Sequence, residues 1–342
     1  VNTTALHQTL LGRPPGLTDH PGHTARLVAN AKGEAKVKEQ AANATAGVSL
    51  DNATLDAGTG NVILRGQGTA TSQNFQIGTR LYGGSIIAKD IIIEAIASTG
   101  GPSSSSWGLS LEGFSIEGSG NITLTGFGGS AGLTNSDFNQ AGIEIRAAMD
   151  NSIKHSQVRA TGNGTITMNG TGGGGIFTNQ SGDTQAVGIR VIANQTNPIQ
   201  SQDGDITLNG TSGYSGRGSA ILLQSPVVST NGDINLNGSQ SISGTPNLNG
   251  NIEIDGTITT SANLNIESKG LVTQSAALTA DGLALHGQGS FDLINSNNNV
   301  TTIAGGDNST KLGSLNYSNS VGMTVGSVNP TGITSSGTVE LA

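Results

Sequence analysis

One seven-residue phrase constrains this chain more than any other feature. Gly204-Asp205-Ile206-Thr207-Leu208-Asn209-Gly210 returns, with variations, at 60–66, 120–126, 164–170, 232–238 and 250–256. Within it the apolar residues fall two apart, so Ile206 and Leu208 share one face of an extended chain while Asp205, Thr207 and Asn209 share the other. The flanking Gly, Asn and Asp tolerate a left-handed backbone and let the chain turn sharply. Each copy is therefore predicted to be a short strand between two turns.

Reading backwards from three copies gives a longer unit. Residues 47–66 contain Gly-Val-Ser-Leu, then Ala53-Thr54-Leu55, then Val62-Ile63-Leu64; 108–126 and 188–210 repeat the arrangement, and 142–170 and 218–238 read similarly. A unit of three short strands and three turns cannot bury its own apolar face, but stacked copies form one column of Val, Ile and Leu. The expected fold is all-β: a right-handed, three-sided parallel β-helix (solenoid) with a short irregular N-terminal cap or arm. Three segments lie outside or along this repeat: 1–46 as the cap or arm, 47–249 as a loop-bearing β-helix, and 250–342 as a tighter continuation. Isoleucines 86, 87, 91, 92 and 93 are expected in an inserted second rung.

Long Gly/Ser/Thr/Asn stretches follow the third strand at 127–140, 171–186 and 211–216, and a shorter one at 100–103 precedes Trp107. Stacked in register, they would leave the column at one corner and form a ridge of loops, where repeat proteins usually display what they bind. The alternative is surface padding, since loop insertions cost little. Trp107, Phe127, Phe138, Phe177 and Tyr214 fall in these stretches and would make a strip for contact with carbohydrate or protein, unless each ring folds back over its own loop.

Composition narrows the function classes. The 342 residues include 53 Gly, 3% aromatic and 11% charged residues. In an aperiodic sequence this would suggest disorder, but here the apolar residues stand where stacked strands need them. The net charge of −8 argues against nucleic acid as a partner. No apolar run is long enough to span a bilayer. The absence of cysteine excludes disulfides and thiolate metal sites and suits a chain exported unfolded. With no signal peptide and Val1 in place of Met, the chain is expected to be a processed or excised piece of a secreted protein, and its stop at Leu341-Ala342 in mid-rung implies either that the natural protein continues or that the next copy stacks on it.

The repeated phrase, the stretch 278–285, Val300-Thr301-Thr302-Ile303-Ala304, Leu315-Asn316-Tyr317 and 323–328 together resemble filamentous-haemagglutinin-type bacterial exoproteins. The resemblance covers roughly 47–342 and implies a secreted or cell-surface β-helix. Members of that family serve as adhesins, toxin-delivery stalks, haem-acquisition proteins or matrix components. Their amino-terminal secretion domain has no counterpart here, since 1–46 is too short for it.

Three further chemistries have candidate residues. A polysaccharide lyase or hydrolase would need converging carboxylates, for which Asp203, Asp205 and Asp233 are the candidates, with Arg190 and Arg217 near in sequence. Against this, Asn61, Asn121 and Asn251 occupy the place of Asp205 in other copies, as suits a turn residue. Haem or metal binding would draw on His7, His20 and His23 in the N-terminal segment, whereas His155 and His286 stand alone. Asn-Gly-Ser/Thr at Asn169, Asn209 and Asn237 matches the glycosylation acceptor pattern. The sequence thus favours a rod without catalytic or cofactor chemistry, acting in surface adhesion or in an extracellular filament. Its expected partners are other copies, end to end or through 1–46, and host or matrix glycans or surface proteins.

Overall fold

The computed structural model describes residues 26–29, 35–40, 46–68, 75–98, 105–129, 140–148, 154–174, 186–192, 196, 198–213, 218–241 and 250–342. Every regular element among them is a strand, and the strands stack as a parallel β-helix.

Each rung contributes strands to three ladders. A first ladder starts with Ala46–Asp51, Phe75–Tyr82, Ser105–Glu112 and Ile143–Arg146 and continues in parallel to Val339–Leu341. The second runs through short strands such as Ser85–Ala88, Ser115–Gly118 and Gln157–Ala160. The third carries the repeated phrase in Val62–Gln67, Ile91–Ile96, Ile122–Phe127, Ile166–Thr171, Ile206–Ser212 and Ile234–Gln240. Toward the carboxyl end Leu278–His286 and Asn299–Gly305 each run through both the second and third ladders, so the corner between them is absorbed into one strand.

Register follows from the alternation. Ile122, Ile166, Ile206, Ile234, Leu264, Leu283 and Ile303 are successive partners, as are Leu124, Met168, Leu208, Leu236, Ile266 and Leu285. All are buried in one core that continues from Val48 to Tyr317. A slip of one residue would turn a whole rung inside out, so each apolar pair fixes its rung. Burying one such side chain is worth about 1.5–3 kcal/mol. Isoleucines 86, 91 and 93 lie in the core of the second rung, with Ile87 and Ile92 facing outward.

The third corner is tight. A Cβ added to Gly126, Gly170 or Gly210 would lie 2.1–2.2 Å from the carbonyl oxygen of Gly142, Gly188 or Ala220 on the next strand. In these three rungs the terminal glycine is required by backbone packing, whereas Ala95 and Ser268 fill the register-equivalent place in other rungs. Beyond this crossing Ala46, Ile77, Trp107 and Ala141 stack in a second, smaller core.

The topology corrects one reading of the sequence and specifies another. The copy at 250–256 lies in the first ladder, where Ile252–Ile254 pairs with Ile221–Leu223, whereas the other copies lie in the third. Alternation with flanking turns marks any strand of a rung, and only stacking tells which. In the N-terminal segment, Arg26–Ala29 and Ala35–Gln40 form an antiparallel hairpin, and Ala35–Gln40 continues the third ladder against Val62–Gln67. This part of the N-terminal segment thus lies over the first rung as strands.

Candidate functional site

The acidic candidates sit in a column at the corner between the second and third ladders. Asp205 Oδ1 accepts the backbone N–H of Asp233 at 2.8 Å, and Asp233 Oδ1 accepts that of Asn263 at 2.9 Å. Asn61, Asp90 and Asn121 do the same for Asp90, Asn121 and Thr165. Carboxylate and amide oxygens are interchangeable here because the position needs only an acceptor. Asp203 accepts from Asn231 Nδ2 at 2.5 Å. Arg190 belongs to the first ladder and pairs with Glu144 at 3.6 Å, and Arg217 lies outside the described residues. Among the described candidates, Asp205 and Asp233 are thus each engaged by a backbone N–H, and Arg190 stands on a different ladder.

The outer face of the third ladder is flat and amide-rich. Asn209 Nδ2 donates to Asn169 Oδ1 and Asn237 Nδ2 to Asn209 Oδ1, each at 2.8 Å, while a neighbouring column joins Asn265 to Asn235 at 2.8 Å and Asn235 to Thr207 at 3.4 Å. The three glycosylation candidates are thus consecutive partners in adjacent rungs, about 4.8 Å apart. A sugar on one Nδ2 would occupy the nitrogen that donates down the ladder and would crowd the next rung.

The insertions that follow third-ladder strands leave from one corner, while 149–153 and 193–195 fall between first-ladder and second-ladder strands. The segments 69–74, 99–104, 130–139, 175–185, 214–217 and 242–249 all join the end of a third-ladder strand to the start of the next first-ladder strand. Of the predicted aromatic strip, Phe138, Phe177 and Tyr214 fall in these segments, outside the described residues. Phe127 is 43% exposed and is the register partner of Ile96, itself 43% exposed, so two large apolar side chains stand side by side at the ends of adjacent third-ladder strands. Trp107 differs from the expectation. It lies within the strand Ser105–Glu112, only 5% exposed, in the smaller core, with the Arg146 guanidinium 5.0 Å from its ring. A ring so enclosed cannot meet a ligand without the rung opening.

The first ladder carries a charged network that the sequence reading missed. Arg146 lies 2.9 Å from Glu112 and 3.4 Å from Glu144; Arg80 reaches Glu112 at 3.3 Å, and Arg190 reaches Glu144. Ser110 Oγ donates to Glu112 at 3.1 Å. Burial pushes the Glu112 carboxyl up, but Arg146 and Arg80 outweigh it and hold the group below the usual carboxylate range. The signal was present in residues flanked by core positions: Glu144 with Arg190 and Glu112 with Arg146 carry opposite charges and become neighbours once the rungs are aligned. Every member has an opposite charge beside it, which is the pattern of a structural network. His155 and His286 lie apart in the fold, His7, His20 and His23 lie outside the described residues, and no group of three His, Cys, Asp or Glu among the described residues is placed to hold a metal ion. No described helix is long and apolar enough to cross a membrane.

Comparison of the chain with family models, characterised proteins and solved structures yielded no match.

Proposed function

We propose that the chain is part of a secreted structural rod that acts by adhesion at a cell surface or within an extracellular matrix, with no catalytic step of its own. One observation carries the reading: six insertions emerge from a single corner of a continuously hydrogen-bonded stack, beside the exposed pair Ile96 and Phe127. A column of this kind holds its corner straight over many rungs, because each strand is bonded to the next and the core is unbroken. Contacts made along the ridge add up as multivalent attachment, which favours repeating ligands over single small molecules. The resemblance of the repeated phrase to filamentous-haemagglutinin-type exoproteins supports the same reading. The engagement of Asp205 and Asp233 by backbone N–H groups speaks for structure over acid–base chemistry.

The test combines imaging with loop surgery. Negative-stain electron microscopy of the purified chain should show straight rods, alone or joined into filaments. Adhesion of the chain to glycan-bearing cells or matrix should fall at least tenfold when 130–139 and 175–185 are each replaced by a short Gly-Ser link. Undiminished adhesion after both replacements would remove the ridge from the mechanism. Turnover of a polysaccharide that is lost in Asp205→Asn would replace the rod reading with an enzyme.

A further inference from the structure

The outer face of the third ladder ends in a trough. Its volume is about 480 Å³, within the size range of small-molecule sites, and its floor is Asn235, Asn237, Asn265 and Glu267, with His286 at one end. One wall is a tight excursion, 326–332, closed by hydrogen bonds from Gly332 N to Gly326 O at 2.6 Å and from Val328 N to Pro330 O at 3.0 Å. Val328 from this wall lies against Gly282, where an added Cβ would come within 2.5 Å of Val328 Cγ1 and 2.4 Å of Asn263 Oδ1. Glycine at 282 is what lets the wall seat.

The amide ladders are directional, and both finish in this trough. Every Asn donates toward the preceding rung, so each Oδ1 except the last receives a hydrogen. The last ones are Asn237 Oδ1, whose next partner up the column is Glu267, and Asn265 Oδ1, followed by Ala284. Neither Glu267 as a carboxylate nor Ala284 has a side-chain donor to offer. Among the described residues no side chain donates to these two oxygens or to Glu267. Each ladder amide also keeps one N–H that the ladder does not use. The trough therefore presents several oriented acceptors interleaved with a few donors, around one apolar contact at Val328.

We propose that this trough binds a neutral oligosaccharide. Vicinal sugar hydroxyls are donors and acceptors at once, which matches amide oxygens lacking a hydrogen and amide N–H groups lacking an acceptor. Asp233 and Glu267, with the net charge of −8, disfavour an anionic glycan. A bare divalent cation fits poorly, because it gathers six to eight oxygens at about 2.3–2.6 Å, while these acceptors are spread along rungs about 4.8 Å apart. The ladder fixes the amide orientations in advance, so little side-chain freedom is lost on binding. The inference deepens the adhesive reading by naming a ligand class and a place for it away from the loop ridge.

The experiment is titration of the full chain with cellohexaose, maltohexaose and mannohexaose, each with and without EDTA, followed by saturation-transfer NMR and calorimetry. At least one hexaose should bind saturably, unaffected by EDTA, and at least tenfold more weakly to Asn265→Ala and to Val328→Arg. Val328→Arg alters only the wall, so an unchanged melting temperature in that variant separates loss of binding from loss of fold. Failure of all three hexaoses to bind, binding that both variants leave intact, or uptake of calcium alone would overturn the proposal. Adhesion that survives the trough variants but is lost on shortening the loops would sink the trough and leave the rod reading standing.

Discussion

Asn209 Nδ2 donates to Asn169 Oδ1 at 2.8 Å, although forty positions separate the two in the chain. The bond repeats one rung on, from Asn237 to Asn209. Asn209→Ala removes both and leaves two half-buried amides short of a partner, which should cost about 1–3 kcal/mol. Asn209→Asp should cost more, since it faces Asn169 Oδ1 with a second acceptor. Urea denaturation of the three proteins gives the order directly.

The same ladder predicts the modification state. Peptide mass mapping of the protein from its native source should find Asn169, Asn209 and Asn237 without glycan, because their nitrogens are engaged or lie one rung from a neighbour. A sugar at Asn209 would show that the ladder opens.

Gly210 and Gly174 should respond oppositely to alanine. A Cβ at Gly210 would stand 2.1 Å from Ala220 O, whereas nothing lies within 4 Å of one at Gly174. Gly210→Ala should lower stability by about 3 kcal/mol or more, since backbone must move. Gly174→Ala should stay within about 0.5 kcal/mol of the parent. Thermal melts followed by circular dichroism distinguish them.

Glu112 sets an acid limit. Its carboxyl is held below the usual value, so its contribution is complete above the unfolded value of about 4.3 and is lost as pH falls through the lower folded value. Glu112→Gln leaves Arg146 beside Trp107 without this partner and should cost about 3 kcal/mol at pH 7. The gap between parent and variant should be constant from pH 7 to about 5.5 and close as pH drops below 4. A gap independent of pH would show that packing, and not charge, carries the effect.

Asp205→Asn is expected to be silent. Asn61 and Asn121 already fill the equivalent place, and either side chain accepts the N–H of residue 233. Stability within about 0.5 kcal/mol of the parent, measured by urea denaturation, is the expected outcome.

The rung is legible in the order of residues alone. Alternation in 204–210 and its copies, with Gly and Asn/Asp at the ends, dictates short strands between turns, and a unit too small to bury its own apolar face must stack. That order also exposes Asp205 as a turn acceptor, because Asn stands in for it elsewhere. Only the tertiary structure decided which ladder each strand joins, since a period of two is the same on every side of a rung. That is why 250–256 moved to the first ladder, and why Trp107, placed in a loop by its glycine-rich neighbours, lies in a strand under Arg146. The ion network from Arg80 to Arg190 and the amide ladders belong to the same class: each links residues tens of positions apart. Their energy comes from register between rungs, which no single rung contains.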